Sequence, residues 1–363
     1  MYEEKIKFTA AKDVFYNPAM RLCRSISSLA VGAINDDITV IDAFCASGIR
    51  GIRYAKENKN VTTTTFLDLS KAAISSAKKN SKTNKLKASF CHNNISKAAF
   101  EFQTDFLEID PFGTPAPYLV DAFRYFNIKK SGYLSVTATD VAVLCGGKTQ
   151  ACMKNYHSKP LNNEFTHESG LRIMIKKIAE TAAEFNMGIE PLISFSDKHY
   201  LKSIIHLKRN ADLAYGSLKK IGHISYCWKC GNRSFDVFPK NCELCRNKSD
   251  FAGPLWLGEI HNKKFLEKML ILNKKRIYQD NDQINKMISL MVGECGESPF
   301  YYNIHSLCKI KKINPVPNII VLMELIKKSG YSANRTHFSP LSIKTNSPYK
   351  KLISSIKKAS GCI

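Results

Sequence analysis

No stretch of this chain approaches the ~20 consecutive apolar residues that a membrane-spanning helix requires. The opening Met1-Tyr2-Glu3-Glu4-Lys5 has neither the basic n-region nor the apolar h-region of a secretory leader. A cytoplasmic, soluble protein is the expectation. Acid is also scarce: Asp and Glu total 31 against 54 Lys and Arg, leaving a net charge of +23 and a sequence pI near 9.5. Such an excess favours a polyanionic partner, nucleic acid first among them, although a general lysine bias produces the same balance. There is no internal repeat and no long low-complexity segment. The turn at residues 45–48 lacks the Gly-x-Gly-x-x-Gly pattern, which argues against a dinucleotide pyrophosphate site. Nor do the cysteines form a disulfide framework, since only four of the twelve are regularly spaced, as two Cys-x-x-Cys pairs.

What is present alternates between strand and helix patterns. At 363 residues the chain exceeds the usual single core, so two or three domains are expected. Residues 38–44 read as a buried strand, Cys45-Ala46-Ser47-Gly48 as a small-residue turn, and residues 49–57 as a helix. Such a turn lets backbone approach a ligand, and the helix N-terminus adds its positive dipole end. A second strand, residues 61–67, ends in Asp68-Leu69-Ser70, where Asp68 can accept hydrogen bonds from ribose hydroxyls and Ser70 can cap a helix over 71–80. Residues 88–91 lead into His92-Asn93-Asn94-Ile95, where an amide and an isoleucine suit an adenine ring.

Residues 105–113, Asp-Phe-Leu-Glu-Ile-Asp-Pro-Phe-Gly, carry a carboxylate out of an apolar run and into a turn. Pro111 ends the pairing, and Asp110 arrives at the C-terminal edge of a sheet, where open α/β folds bind ligands. Asp110 beside Phe112 suits a planar base bearing an amine; an ordinary strand end explains the same four residues. Helices are expected over 117–126 and 168–184, a strand over 132–137 running towards Asp140, and an antiparallel pair over 188–195 and 200–207. The predicted fold is α/β, a seven-stranded, mostly parallel, doubly wound sheet with an antiparallel edge.

Cys227, Cys230, Cys242 and Cys245 have the spacing of a closed, tetrahedral structural zinc site, which leaves no open position for catalysis. Arg233, Lys240, Arg246 and Lys248 on or near this insert are candidates for phosphate contact. Beyond it, residues 253–258 read as a hinge or packed strand. Helices are expected over 262–273, 282–292, 300–311 and 317–329, an extended segment over 343–345, and a lysine-rich helix over 349–358. Helices followed by a basic hairpin suggest a winged-helix-like nucleic-acid module. The expected division is 1–212, 213–258 and 259–363, with no feature calling for an obligate protein partner.

Taken together, several stretches resemble the archaeal-type tRNA (guanine-N2)-dimethyltransferases that modify guanosine 26. They are Val14-Phe15-Tyr16-Asn17-Pro18, residues 42–53, Asp110-Pro111-Phe112-Gly113, Thr137-Ala138-Thr139-Asp140, His167-Glu168-Ser169-Gly170-Leu171-Arg172, residues 253–261, Phe300-Tyr301-Tyr302 and Arg335-Thr336-His337-Phe338-Ser339-Pro340. The resemblance implies a Rossmann-type class I methyltransferase domain that binds S-adenosyl-L-methionine, and a C-terminal domain that helps hold tRNA. It implies donor contacts from Arg24, Arg50, Asp68, Leu69, Asn94 and Ile95, a donor pocket shaped by Asp42, Ser47 and Gly48, a catalytic Asp110, and Phe15 and Phe112 as faces for guanine. The chain departs from the family pattern at Cys23-Arg24-Ser25, usually Asn-Arg-Asp, and at Asn94-Ile95, usually Asp-Ala. Two rival readings are a methyltransferase for adenine or cytosine amines and a non-catalytic zinc-ribbon RNA-binding factor.

Overall fold

In the computed structural model, which describes residues 1–10, 12–235 and 241–362, the alternating pattern closes into one central sheet. A small hairpin, β1 (Tyr2–Glu3) and β2 (Ile6–Lys7), precedes helix α1 (Arg21–Ala33). The core units follow: β3 (Ile38–Ala43), α2 (Ile49–Glu57), β4 (Val61–Asp68), α3 (Lys71–Thr83), β5 (Ser89–His92), α4 (Ile95–Ala98), β6 (Phe106–Ile109), α5 (Leu119–Arg124) and β7 (Ser131–Ala138). Helices α6 (Val141–Leu144), α7 (Thr149–Tyr156) and α8 (Thr166–Glu184) lead to β8 (Met187–Asp197), β9 (Tyr200–Arg209) and α9 (Ala211–Leu218).

The sheet order is β5-β4-β3-β6-β7-β9-β8, with β9 antiparallel to both β7 and β8. The chain therefore starts in the middle, winds outwards through β4 and β5, and restarts beside β3 with β6. That reversal opens a crevice at the C-terminal ends of β3 and β6, where the turn 45–48 and Asp110 both emerge. Helix α3 begins where the sequence places a cap: the Ser70 hydroxyl accepts the Ala73 amide at 3.3 Å. At the middle of the sheet, β6 is buried along its whole length.

After the sheet come β10 (Ile221–Tyr226), β11 (Arg233–Phe235) and β12 (Asp250–Trp256), a three-stranded antiparallel sheet that carries the four cysteines. Residues 253–256 are thus strand, not hinge. Helices α10 (Lys263–Asn273) and α11 (Asn281–Glu294) return to the large sheet, where Leu266, Met269, Ile284 and Ile288 share a core with Ile26 and Leu29 of α1. The remainder comprises β13 (Tyr302–Asn303), α12 (Ile304–Lys311), α13 (Ile319–Lys328), β14 (Asn334–Arg335), β15 (Ser342–Lys344) and α14 (Tyr349–Ala359). Helix α11, β13, α12, α13, β14 and β15, with β15 between β13 and β14, follow a winged-helix order.

Some expectations shift. Residues 300–311 do not form one helix: Tyr302 pairs with Ile343, and Asn303 caps a helix that starts only at Ile304, accepting the Ser306 amide at 3.0 Å. Residues 116–118 form a 3-10 turn ahead of α5. Helix α7 is an addition, and it buries only Cys152 and Tyr156, a pattern too sparse to read as periodicity. Arg233 is buried over the Tyr302 ring and donates to the Tyr301 carbonyl at 3.0 Å, so it joins ribbon to winged helix and does not face phosphate. Lys240 lies outside the described residues. No helix among the described residues is long and apolar enough to cross a membrane.

Candidate active site

The crevice at the switch point is a cavity of about 450 Å³. Its walls include Phe15, Asn17, Arg24, Asp42, Ser47, Arg50, Asp68, Asp110, Phe112, Thr139 and His199. Eight residues singled out from sequence therefore meet on one surface: Phe15, Arg24, Asp42, Ser47, Arg50, Asp68, Asp110 and Phe112. A larger groove of about 910 Å³ around Glu190, Trp256 and Asn262 contains none of them and opens at the other end of β8.

The turn after β3 is shaped by its backbone. Phe44 and Ala46 both adopt left-handed φ values, 66° and 47°, which residues with a Cβ seldom do. Gly48, at φ 75°, has no room for a side chain: an added Cβ would stand 2.9 Å from the Ala77 Cβ. The Ala46 amide donates to Asp68 Oδ2 at 3.0 Å, tying this turn to the end of β4. Asp68 Oδ1 accepts the Ser70 amide at 2.8 Å, so this carboxylate also braces the start of α3.

Asp42 is 2% exposed and accepts the Gly51 amide at 2.9 Å. Burial and the neighbouring Glu108 carboxylate push its pKa up to about 7. Asp110 behaves oppositely. Burial would raise its pKa, but the Arg50 guanidinium bonded to Oδ2, followed by Lys202, outweighs that effect and holds it below the usual carboxylate range. Arg24 is held by both oxygens of the buried Glu3, of which Oε2 also accepts the Tyr16 hydroxyl at 2.9 Å. Both site arginines thus have carboxylate partners.

Phe15 and Phe112 stand at the mouth, 54% and 75% exposed, with ring centroids 4.7 Å apart and an edge-to-face angle of 83°. Rings this exposed contribute little to the core and remain available to a flat ligand. Leu69, Asn94 and Ile95 do not line the cavity. Leu69 is 70% exposed beside it, Asn94 caps α4 through the Ser96 amide at 2.7 Å, and Ile95 is buried with its carbonyl on the Tyr125 hydroxyl at 2.7 Å. Asp140 accepts from the Tyr156 hydroxyl at 3.0 Å and braces the start of α6. Sequence reasoning did not find His199, delivered by the β8–β9 turn, or the pocket contribution of Thr139, whose hydroxyl accepts the Gly113 amide at 2.8 Å.

The four ribbon sulfurs lie within 4.8 Å of one another, with Cys227 and Cys245 3.5 Å apart and Cys230 and Cys242 3.6 Å apart. Tetrahedral bonds of ~2.3 Å to zinc require sulfur separations near 3.8 Å, so the residues fit that ion. The Gly231 and Arg246 amides donate to the Cys227 and Cys242 carbonyls, each at 2.8 Å, folding both knuckles alike.

Four stretches behind the family resemblance meet elsewhere, in a buried joint. Glu168 accepts the Phe300 and Tyr301 amides at 2.9 and 3.2 Å and pairs with Arg172 and Lys344. Lys344 also lies 3.1 Å from Glu294, which in turn accepts from the His337 amide at 2.7 Å. His261, Glu294 and His337 are spaced as a cation would need. Yet Arg172 and Lys344 already balance the two carboxylates, and His261 Nδ1 accepts the Ser194 amide at 3.4 Å. The cluster joins the C-terminal residues to α8 and β8.

Residues 1–357 match the family described as N2,N2-dimethylguanosine tRNA methyltransferase. The tRNA (guanine(26)-N(2))-dimethyltransferase of Methanobrevibacter smithii is 35% identical over 371 residues, covering 99% of this chain and 95% of that one. Its counterpart from Thermococcus kodakarensis is 33% identical over 355 residues, with 93% and 91% covered. Among solved structures, Trm1 from Pyrococcus horikoshii in complex with S-adenosyl-L-methionine superposes with a TM-score of 0.90 at 31% identity, covering 98% of this chain and 99% of that one. With residues 1–357 matched by the family and 98% of the chain superposed on that structure, the chain belongs to the N2,N2-dimethylguanosine tRNA methyltransferase family.

Proposed function

We propose that this protein transfers methyl groups from S-adenosyl-L-methionine to the exocyclic N2 amine of guanosine 26 in tRNA, giving first the monomethyl and then the dimethyl nucleoside. One observation carries the reading: an anionic Asp110, a pair of exposed aromatic rings and the Asp68 end of β4 share a single cavity at the switch point of the sheet. The donor, when bound, supplies an electrophilic methyl on a sulfonium. Everything else is positioning, an effect worth on the order of 7–11 kcal/mol.

Asp68, Arg24 and Arg50, with Leu69, Asn94 and Ile95 beside the cavity, hold the donor, and Asp42, Ser47 and Gly48 shape its pocket. Phe15 and Phe112 hold the guanine flat. The N2 lone pair is delocalised into the ring, so the amine is a poor nucleophile until it is turned. Asp110 turns it by accepting one amine hydrogen bond, and that bond strengthens as positive charge develops on nitrogen. Asp110 then takes the proton that the methylated amine releases, and passes it to solvent. One acceptor needs one N–H. The free amine has two and the monomethyl amine has one, so both rounds use the same contact, whereas the dimethyl amine has none left to offer. A base stacked within tRNA must be exposed to enter the pocket. The basic C-terminal residues 259–363 help to hold the tRNA, and a reducing compartment, the cytoplasm, suits the four ribbon thiols that would hold zinc for structure alone.

The test is Asp110→Asn assayed with tRNA and labelled donor, followed by mass analysis of the nucleosides. The expected loss is about a hundredfold or more in turnover with donor affinity nearly intact. Near-wild-type turnover would overturn the assignment.

A further inference from the structure

His199 stands on the cavity wall, exposed in the turn that joins β8 to β9, and none of the roles above uses it. Its neighbour on that wall is Asn17, whose amide Nδ2 lies 3.4 Å from His199 Nε2. Asn17 is itself fixed. Its Oδ1 accepts the Ala19 amide at 2.9 Å, capping the 3-10 turn at residues 18–20, and its carbonyl accepts from Arg24 Nη2 at 3.1 Å. The cap decides which end of the amide is oxygen, so the end turned towards His199 is NH2. An amide NH2 has only protons to give, so Nε2 accepts, and the neutral ring carries its own proton on Nδ1. Among the described residues Nδ1 has no hydrogen-bond partner. Other polar side chains of the wall are tied into the fold: the Tyr16 hydroxyl to Glu3, the Thr139 hydroxyl to the Gly113 amide, and Arg50 to Asp110. The cavity therefore holds an oriented, neutral donor that the fold does not use.

We propose that His199 is a specificity-determining residue for guanine: its Nδ1–H donates to the O6 carbonyl of the base whose N2 amine Asp110 holds, and Asn17 sets its tautomer. The proposal rests on guanine being the base that enters the cavity. A carboxylate accepts from any exocyclic amine, those of adenine and cytosine included, so Asp110 alone does not choose the base. The six-position does choose. Guanine presents an acceptor there and adenine an amine, so a fixed donor completes a hydrogen bond with one and faces a second donor in the other. A site built around such a bond rejects a base that cannot make it more strongly than a shape-matched apolar wall does. The parts come from separate elements: Asp110 follows β6, Phe15 and Asn17 precede α1, and His199 arrives with the β8–β9 turn.

The informative variant is His199→Phe, which keeps a ring in the exposed turn and removes its nitrogens. Wild type and variant are assayed for kcat/KM at saturating donor on a pair of tRNAs that differ only at position 26. One carries guanosine there, the other 2-aminopurine ribonucleoside, which keeps the reacting amine and has hydrogen in place of O6. Wild type should prefer guanosine by about tenfold or more, and His199→Phe should lose about tenfold on guanosine but no more than about threefold on 2-aminopurine, so that the preference collapses. Equal losses on both tRNAs, unchanged rates on both, or a wild type without preference overturns the proposal. Nitrogen-15 chemical shifts of the His199 ring in the wild-type protein test the tautomer without any variant: a proton on Nδ1 is expected, and one on Nε2 counts equally against the proposal. Wild-type protein that forms no methylguanosine would instead sink the underlying reading, and the proposal with it.

Discussion

Asp42 is ionised at a cost, and replacing it with asparagine should expose that cost. The carboxylate accepts the Gly51 amide, and an asparagine oxygen can accept it equally well, so Asp42→Asn removes the charge and little else. The folded-state pKa lies at about 7, against 3.8 for the unfolded chain, with burial and the Glu108 charge as the main causes. Because the folded value is raised, the wild-type protein carries no penalty below the unfolded pKa and loses stability as pH rises from there to about 7. Three units at 1.36 kcal/mol each give about 4 kcal/mol at pH 8, and the part of the window crossed by pH 5 gives about 1.5 kcal/mol. Urea unfolding of both proteins without ligand, at these two pH values, reads the difference directly. Asp42→Asn should be the more stable protein at both, by clearly more at pH 8. An equal gain at both values, or a destabilised variant at pH 8, would refute the reasoning. The same substitution should weaken binding of S-adenosyl-L-methionine. Asp42, Glu108 and Asp110 against Arg50 and Lys202 leave one negative charge in excess, a match for the sulfonium, and losing it should cost about tenfold in affinity or more.

Cys227→Ser should lower the bound zinc measured by elemental analysis and reduce thermal stability, while donor binding, tens of residues away on the sheet, stays nearly unchanged; unaltered zinc stoichiometry would count against the four-cysteine site. Phe112→Ala, at a ring 75% exposed, should shift unfolding by no more than about 0.5 kcal/mol yet lower kcat/KM for tRNA by about tenfold or more, the reverse of what a core phenylalanine does. Glu168→Gln leaves Lys344 and Arg172 short of a buried anion and should destabilise the fold by about 3–5 kcal/mol; calorimetry alongside a donor-binding titration separates that from any change at the pocket.

The parts of the site that sequence made readable are those that lie next to one another along the chain. An apolar run ended by proline announces β6 and the arrival of Asp110, and a small-residue turn between a strand and a helix announces the 45–48 loop. Two Cys-x-x-Cys pairs announce their own site because the ligand spacing is local. What stayed hidden depends on long-range pairing. Arg50, expected to serve the donor, bonds to Asp110 sixty residues on, and Lys202 finds Glu108 across 94 residues. A lysine in an alternating strand pattern reads as an outward-facing charge, and only the sheet order shows that this one points into the core. Residues 300–311 misled for a related reason. Tyr301 and Tyr302 suit a helix locally, but strand pairing with Ile343 takes Tyr302 out of it.

The edge-to-face contact of Phe15 with Phe112 has a consequence for what can serve as a substrate. The two rings make an edge-to-face contact with each other, worth about 0.5–1.5 kcal/mol. On the proposed reading, a guanine displaces part of that contact to enter, and a lone nucleoside has little beyond its own stacking to offset the loss. A folded tRNA brings contacts along the rest of its backbone and so can drive the rings apart. On the proposed reading, the two rings therefore disfavour a free nucleoside relative to a folded tRNA by no more than the worth of that contact, a factor of about two to ten.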